Sequence, residues 1–486
     1  MSSRIKILVL VPPSKYSKNV ARDLVYGCWC KGKRIAGVSF PPISLALVAT
    51  VLKESGLDVF LLDAAGEGFD IKEVKKIASE IDFCVILTSS MTLNEDADFL
   101  FELKQDNPKL KTIVFGGHVT AEPKSSLARK GIDIVVRREA EYIIRDLLLA
   151  FENNQDWKRI RGISFMDSEK YVENELYPLI DNLDDLPIPD RRLLSDKIHY
   201  FNPSVKRMPY TTMFTSRGCP GLCTFCSSPT FYGRHLRFMS AGRVLEEIRE
   251  CLKLEYREIF FRDEIFTASK SRVMEICKGI IDEKMDLTWV CSSRINTIDK
   301  EMMLIMKRAG CHLLRFGVES GVQELLNNVK KGTTIDNARE VFKWAKEVGI
   351  DTHAHMMIGM PGETRETLEK TMRFIKEIAP NTVTFGILTP YAGTEIFEEL
   401  RKHHPEISDG TEMDISKLHT NAFYNEYFTK LSAQDLQKYI RQVYRRFYLR
   451  PSYILKQLFK VKSKDELKRL ILAGLDVFRF VFNKDS

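Results

Sequence analysis

The chain has 486 residues, of which 44% are apolar and 29% charged, so its composition is that of a globular protein with an ample core. This balance excludes a disordered chain, a collagen-like repeat and a disulfide-rich miniprotein, and the length suffices for about three domains. The net charge of +7 is concentrated at one end, because residues 430–486 hold 14 basic and 5 acidic residues. The first 429 residues hold 59 basic and 61 acidic residues, a net charge of −2, which argues against a nucleic-acid partner.

The N-terminal residues and the cysteines indicate the compartment. The apolar residues 7–11 run directly into Pro12-Pro13 with no small-residue cleavage site, and no uncharged apolar window approaches the roughly 18 residues of a spanning helix. Ten cysteines without an export signal predict a reducing cytosol, where clustered cysteines more often bind metal than form disulfides. We therefore expect a cytoplasmic protein, with peripheral attachment to the inner face of the membrane as a further possibility.

The first 155 residues alternate strand-like and helix-like segments. Apolar runs rich in Val, Ile, Leu and Phe predict strands at 6–11, 59–63, 83–88, 112–115 and 132–136. Helical periodicity predicts helices at 43–55, 72–81, 95–105, 124–130 and 141–153. Fully apolar strands in five β-α units indicate a Rossmann-like parallel sheet covered on both faces. Residues 156–204, with a hairpin-like piece near 163–171 and a high proline density, are predicted to be a linker.

The β-α alternation resumes in residues 205–400. Strands are predicted at 212–216, 258–262, 288–292, 313–318, 352–358 and 383–388. Helices are predicted at 244–254, 273–283, 301–309, 337–348 and 366–378. Six such units predict a partial (β/α)6 barrel with its chemistry at the C-terminal ends of the strands. Residues 401–486 are predicted to be a basic helical region, so the fold class is α/β with a helical C-terminus.

One loop holds three of the ten cysteines within eight residues. Cys219, Cys223 and Cys226 follow a predicted strand at CxxxCxxC spacing, with Gly218 directly before the first cysteine and Gly221 between the first two. Such a loop can bind three irons of a cubane cluster through thiolates, leaving one iron for another ligand because no fourth cysteine is nearby. The alternative is three incidental loop thiols. The spacing favours a [4Fe-4S] cluster.

This cysteine loop, with Phe225 directly before the last cysteine, resembles that of the radical S-adenosylmethionine (SAM) superfamily. In that family the open iron binds SAM, and an electron from the cluster cleaves it to a 5′-deoxyadenosyl radical that abstracts hydrogen. The resemblance covers residues 205–395 and implies SAM as substrate and a reducing electron donor of the flavodoxin or ferredoxin type. It also implies that Phe225 packs near the adenine.

Further matches lie at successive predicted strand ends. The resemblance implies SAM contacts there from Asp263, Glu264, Ser292, Glu319, Gly359 and Pro361. It implies catalytic roles for Arg294, which could hold the SAM carboxylate or a substrate, and for Tyr391. Taken alone, Asp263 or Glu264 could equally cap the following helix.

The N-terminal domain resembles the cobalamin-binding domain fused to one branch of this superfamily. The resemblance lies in residues 87–92 and 114–120, and it implies cobalamin contacts from Ser89, Ser90, Thr92, Gly116, Gly117, His118, Thr120 and Glu139. The DxHxxG motif is absent, which fits cobalamin bound without a lower histidine, and His118 could be a plain loop residue. The usual GEGE is Arg138-Glu139-Ala140-Glu141 here, so an empty structural domain is the alternative.

These motifs together predict a cobalamin-dependent radical SAM enzyme that methylates an unactivated carbon of a lipid, natural product or protein. Cyclisation or rearrangement without methyl transfer is the alternative within the enzyme class, and a cobalamin-binding sensor module is the alternative outside it. The basic tail mixes aromatic and basic residues at helical spacing, which fits either packing on the barrel or an interfacial helix on a membrane. Cys28-Trp29-Cys30 is expected in a structural or substrate-facing loop.

Overall fold

The computed structural model describes residues 4–14, 38–412, 423–461 and 463–482. The predicted Cys28-Trp29-Cys30 loop lies outside the described residues. Within these ranges, no helix is both long enough and apolar enough to cross a lipid bilayer.

The N-terminal domain is built on a seven-stranded sheet whose order is β2-β1-β3-β4-β5-β6-β7. Its strands are β1 (Lys6–Val11), β2 (Asp58–Asp63), β3 (Phe83–Leu87), β4 (Lys111–Phe115), β5 (Ile134–Val136), β6 (Ile163–Asp167) and β7 (Lys170–Glu173). The first five strands are parallel, and the strand order reverses between β1 and β3, where ligands of such sheets bind. The β6–β7 hairpin, which falls within the predicted linker, pairs antiparallel to β5 and extends the sheet.

Helices cover both faces of this sheet, as predicted. They are α1 (Ile43–Glu54), α2 (Ala64–Glu67), α3 (Ile71–Ala78), α4 (Leu93–Asp106), α5 (Gly117–Ala121), α6 (Pro123–Leu127) and α7 (Ala140–Glu152). α1 and α7 pack with β1 and β3 in one apolar core, and α3 and α4 pack in a second core on the opposite face. Successive side chains of each strand point alternately into the two cores, so the strands have to be apolar throughout.

The second domain is a six-stranded parallel sheet with the order β15-β14-β13-β12-β11-β8, which confirms the predicted partial barrel. Its strands are β8 (Tyr210–Met213), β11 (Glu258–Phe261), β12 (Thr288–Ser293), β13 (Cys311–Glu319), β14 (Asp351–Ile358) and β15 (Thr382–Ile387), with the separate pair β9 (Ser216–Arg217) and β10 (Arg237–Phe238). Its helices are α8 (Ser228–Tyr232), α9 (Ala241–Lys253), α10 (Lys270–Asp282), α11 (Lys300–Arg308), α12 (Gln323–Asn328), α13 (Ile335–Val348), α14 (Arg365–Ile378) and α15 (Glu395–His403).

The first strand of this barrel ends earlier than the sequence predicts. We expected it over 212–216, but it stops at Met213, and Ser216 and Arg217 pair antiparallel with β10 instead. The cause is Asp263, whose carboxylate accepts hydrogen bonds from the Thr215 backbone N–H at 2.6 Å and hydroxyl at 2.5 Å. This contact draws the chain off the sheet and directs it into the cysteine loop.

The C-terminal region is helical, as predicted, with α16 (Asn425–Phe428), α17 (Ala433–Tyr448), α18 (Pro451–Lys460) and α19 (Lys464–Phe482). α17 packs along the edge strand β15. The Tyr448 hydroxyl bonds the backbone N–H and carbonyl of Val383, and the Tyr444 hydroxyl bonds those of Phe385. These tyrosines satisfy backbone groups that an open sheet edge would leave exposed.

Candidate functional site

The cysteine loop leaves the barrel at the C-terminal ends of the strands. Gly218 has φ +89, and an added Cβ there would lie 2.1 Å from the His235 carbonyl oxygen, so only glycine fits this turn. Cys219, Cys223 and Cys226 are each half-buried, and burial raises the pKa of the Cys226 thiol to about 12. No three metal-ligating side chains of the described residues converge on a point for a single metal ion. A cubane cluster fits such a loop, because each of its irons takes one thiolate separately.

Arg294, one of the predicted catalytic residues, lies against this loop. Its Nη1 is 3.8 Å from Cys223 Sγ, and its Nη2 donates to the Lys331 carbonyl. A Cβ on Gly221 would lie 2.4 Å from Arg294 Nη1, so the glycine leaves the space that the guanidinium occupies. The structure thus brings a fixed positive charge to the edge of the cysteine loop.

A second cation stands beside Phe225. Lys331 Nζ is 2.7 Å from Glu319 Oε1 in a buried ion pair and 5.9 Å from the centre of the Phe225 ring. Burial alone would lower the pKa of Lys331, but the Glu319 carboxylate raises it above its usual value. Glu319 has φ +64, a strained conformation for a residue with a side chain, and such strain is concentrated at ligand sites.

The adjacent acids Asp263 and Glu264 differ in their partners. Asp263 is fully buried, holds Thr215 as described, and is close to the charge of Arg272. Glu264 Oε1 accepts a hydrogen bond from Ser228 Oγ at 2.9 Å, and burial raises its pKa to about 7. Asp263 therefore shapes the entry to the cysteine loop, whereas Glu264 stands directly beside the residues that follow Cys226.

The remaining predicted SAM residues line the other strand ends. Ser292 is buried, and its hydroxyl has no hydrogen-bond partner among the described residues, as expected of a group that awaits a polar ligand. Gly359 has φ +80, and its carbonyl accepts from Asn425 Nδ2 at 3.2 Å. Pro361 lies in the same turn and accepts from Asn328 Nδ2 at 2.9 Å.

On the N-terminal domain, four of the predicted cobalamin residues face a common cavity. Ser89, Ser90, Gly117 and His118 line it. The His118 ring is held on one side, where Nδ1 is 2.9 Å from Ser90 Oγ, while Nε2 lies 3.7 Å from Asp409 Oδ2, beyond hydrogen-bond distance. Burial raises the pKa of Asp409, but the nearby His118 and hydrogen bonds donated by the Thr411 and Ser125 hydroxyls hold it well below its usual range.

The other four predicted cobalamin residues make contacts within the protein. Thr92 bonds the Ser89 hydroxyl at 3.2 Å, and Thr120 bonds the Gly116 carbonyl at 2.8 Å. Gly116 has φ +142, and an added Cβ would lie 2.1 Å from the Thr88 carbonyl oxygen, so only glycine allows this approach of two strand ends. Glu139 is not brought to the cavity.

Glu139 instead belongs to a buried ion-pair cluster between the two domains. Its carboxylate accepts from Arg237 at 2.8 and 2.9 Å, and Arg217 Nη2 is 2.5 Å from Glu141. Because Arg217 directly precedes Gly218, this cluster ties the start of the cysteine loop to helix α7 of the N-terminal domain. The preceding Arg138 has φ +71, a conformation in which glycine of the usual GEGE would be unstrained.

One cavity of about 910 Å³ connects the two halves of the site. Phe225, Cys226, Glu319 and Tyr391 line it on the barrel side, opposite the Ser89 and His118 region of the N-terminal domain. Along the barrel it also passes a polar row on β13, β14 and β15, consisting of Arg315, His355, Thr384, His353 and Thr382. The arrangement places Cys226 and the first domain's strand ends around a shared space.

Sequence reasoning missed several residues of this site. Lys331, Asp409 and Asn425 lie outside the motifs at the strand ends, and each is 12 to 291 positions from its partner. The sequence contains one weak indication of Arg217 and Arg237. The acids at 139 and 141, if buried in a domain contact, require cations as partners. Nothing local in the sequence identifies those cations.

Comparisons with known proteins agree with this geometry. Residues 213–375 match the Radical SAM superfamily, and residues 35–148 match the B12 binding domain. An uncharacterized methyltransferase of Pyrococcus horikoshii is 32% identical over 467 residues, which is 94% of this chain and 95% of the relative. An anaerobic magnesium-protoporphyrin IX monomethyl ester cyclase of Rubrivivax gelatinosus is 27% identical over 459 residues, 91% of this chain and 79% of the relative.

Among solved structures, the cobalamin-dependent S-adenosylmethionine radical enzyme OxsB shares the fold. It superimposes with a TM-score of 0.70 over 98% of this chain and 72% of that chain, at 17% identity. The two family matches fall on the two sheets that carry the candidate site. Since one relative is 32% identical along nearly the whole chain, the protein belongs to the family of radical SAM enzymes with an N-terminal B12-binding domain.

Proposed function

We propose that the protein is a cobalamin-dependent radical SAM methyltransferase that acts on an unactivated carbon of an apolar substrate such as a lipid. The observation that carries this proposal is the shared cavity, which Cys226 and Phe225 line on one side and Ser90 and His118 on the other. Groups bound at the cysteine loop and at the strand ends of the N-terminal domain would face the same substrate. A sensor module would not need a cysteine loop open to that cavity.

The residues of the cysteine loop and of the strand ends fit the cofactors that we propose. Cys219, Cys223 and Cys226 would hold a [4Fe-4S] cluster, and the unpartnered hydroxyl of Ser292 would meet SAM together with Glu264, Gly359 and Pro361. When bound, these groups and cobalamin supply a hydrogen-abstracting radical and a methyl donor. The protein contributes the rest by binding and orientation.

The charged residues near the loop have separate proposed tasks. Arg294, fixed beside Cys223, would orient a carboxylate of SAM. The Glu319–Lys331 pair would present its carboxylate to a ribose hydroxyl or amino group, with Lys331 holding that carboxylate in place. Tyr391, which lines the cavity at the end of β15, would position the substrate and help to exclude water.

Ring formation without methyl transfer is the second candidate, because the cyclase relative covers 91% of the chain. The products distinguish the two reactions. A methyltransferase of this type forms one S-adenosylhomocysteine for each 5′-deoxyadenosine when it turns over its substrate, and the product gains one methylene in mass. A cyclase forms 5′-deoxyadenosine without S-adenosylhomocysteine. We also propose a flavodoxin- or ferredoxin-type electron donor and a cytoplasmic location with a peripheral contact to the membrane.

The first test is SAM cleavage by anaerobically reconstituted protein reduced with dithionite. We expect 5′-deoxyadenosine from the wild type and none from Cys223→Ala, because the loop would lose one of three thiolates. Cys251→Ala is the matched control, since this cysteine is fully buried in the barrel core away from the loop. Absence of 5′-deoxyadenosine from wild-type protein with a confirmed cluster would refute the proposal, as would equal activity of Cys223→Ala.

A further inference from the structure

The partial barrel has two edge strands, β8 and β15, and helix α19 lies across the gap between them. Near β8, Arg469 Nη2 donates to the Lys206 carbonyl at 3.1 Å. Near β15, the Phe480 ring makes an edge contact with Tyr444 of α17, with the ring centres 5.2 Å apart. A closed barrel would have no such gap. Here a helix stands in the gap where a closed barrel would have further strands.

α19 and its neighbour α18 are attached by few side chains. α18 has no buried residue, and α19 buries only Arg469, Val477 and Phe480 among its 19 residues. The described part of the chain has eighteen exposed large hydrophobic side chains, and ten of them lie on these two helices. Phe459, 87% exposed, is the most exposed of all. An apolar surface this dense marks an interaction site.

The charge of the same region indicates what covers this surface. Residues 430–486 carry 14 basic and 5 acidic residues, whereas the preceding chain is slightly acidic. On α18 and α19, Lys456, Lys464 and Lys468 stand among the exposed apolar side chains. Exposed apolar residues interspersed with lysines are typical of helices that lie in the interface of an anionic bilayer.

The apolar surface is continuous with the cavity of the candidate site. Ile454, Leu458, Ile471, Leu475 and Phe478 are exposed and also line the cavity. From there the cavity follows β14 from Asp351 to Met357, a distance of about 20 Å at the rise of a strand. It ends at the cysteine loop. A space of this length suits an extended molecule better than a compact one.

We propose that α18 and α19 form a membrane-seated entrance, through which a long-chain amphiphile passes from an anionic bilayer into the barrel and reaches the cysteine loop. This inference rests on the proposed function, because it names the substrate class of that site. The bilayer covers the exposed side chains, and the apolar chain of the substrate enters between them. The gap between β8 and β15 is the route.

The first test is co-sedimentation of the holoenzyme with vesicles. We expect binding to vesicles of equal parts phosphatidylglycerol and phosphatidylcholine, weakened by salt, and little binding to pure phosphatidylcholine. Phe459→Glu with Leu472→Glu should weaken binding by about tenfold or more, since neither residue lines the cavity. Leu304→Glu is the control, because this leucine on α11 is about as exposed as Leu472, and it should bind like the wild type.

The second test concerns the entrance itself. Gly474 lines the cavity on α19, and an added Cβ there meets nothing within 4 Å, so Gly474→Trp introduces a large ring at the passage without a clash at its Cβ. The probe is a spin-labelled stearic acid, whose spectrum reports immobilisation. We expect immobilised probe in the wild type and in the Phe459→Glu/Leu472→Glu variant, and loss of it in Gly474→Trp.

The outcomes separate this inference from the proposed function, because neither readout requires turnover. The inference is overturned if the protein does not bind vesicles, or if binding does not depend on anionic lipid. It is also overturned if Leu304→Glu loses binding as much as the double variant does, or if Gly474→Trp leaves probe binding unchanged. If the protein does not bind vesicles but forms a dimer that Phe459→Glu dissociates, the surface binds a second copy of the chain, and the inference is overturned as well. Formation of 5′-deoxyadenosine with dithionite tests the proposed function independently of all these results.

Discussion

Replacing Glu139 by glutamine tests whether the buried ion-pair cluster couples the N-terminal domain to the cysteine loop. The Glu139 side chain is 2% exposed, and its carboxylate receives two hydrogen bonds from Arg237 and one from the Ile180 N–H at 2.8 Å. Arg217 Nη1 is 3.4 Å away. Burial alone raises the pKa of Glu139, but the two arginines lower it below its usual value, so the group is ionised at neutral pH.

The size of the effect follows from the charges that remain. Glutamine removes one negative charge, which leaves Arg217 paired with Glu141 and leaves Arg237 facing the carbonyl oxygens of Ile180 and Tyr232. Breaking a buried pair by removing one partner costs about 3–5 kcal/mol, and we expect about 3 kcal/mol because the amide oxygen still accepts one hydrogen bond. For domains of this size each kcal/mol shifts Tm by about 2–4 °C, so Tm should fall by about 6–12 °C.

Scanning calorimetry at pH 7 measures this shift, with Glu283→Gln as the matched control. Glu283 pairs with Arg249 on the surface, where an ion pair is screened by water, and its replacement should leave Tm unchanged. The pH dependence has a definite sign. A carboxyl with a lowered folded pKa stabilises above its unfolded pKa of about 4.3, and this stabilisation is lost as the pH falls through the folded pKa.

The difference between wild type and Glu139→Gln should therefore shrink in acid. A decrease in Tm of less than about 2 °C at neutral pH, or a difference that does not change in acid, would refute the reasoning that the cluster is a charged coupling element.

The strands and helices of both sheets could be predicted because their signal is local. A strand such as β3 (Phe83–Leu87) is buried on both faces of a parallel sheet, so every residue in it has to be apolar, and the run is visible in the sequence. The cysteine loop was predictable for the same reason, since its ligands lie within eight residues. The end of β8 was predicted wrongly because it depends on Asp263, 48 residues away.

The functional surroundings of the loop depend on contacts that no local pattern contains. Arg237 reaches Glu139 across 98 residues of sequence, and Asp409 lies near His118 across 291 residues. A buried charge requires a partner, so the acid pair at 139 and 141 implies cations somewhere, but only the packing of the two domains decides which arginines supply them. Glu139, predicted to contact cobalamin, is instead a contact between the domains.

Two further changes test the sheet edge and the proposed B12 site. Tyr448→Phe leaves the Val383 N–H and carbonyl on the edge of β15 without their partner, so the free energy of unfolding in urea should fall by about 1–3 kcal/mol; an unchanged midpoint would show that water replaces the hydroxyl. Gly116→Ala puts a Cβ 2.1 Å from the Thr88 carbonyl oxygen and forces two strand ends apart, so corrinoid bound by protein grown with hydroxocobalamin should be lost while iron content is kept. Gly349→Ala is the control, because its φ of +77 brings the same kind of backbone strain with nothing within 4 Å of the new Cβ. If both variants lose corrinoid equally, strain alone is responsible; if Gly116→Ala retains it, the close approach of these strand ends does not shape the site.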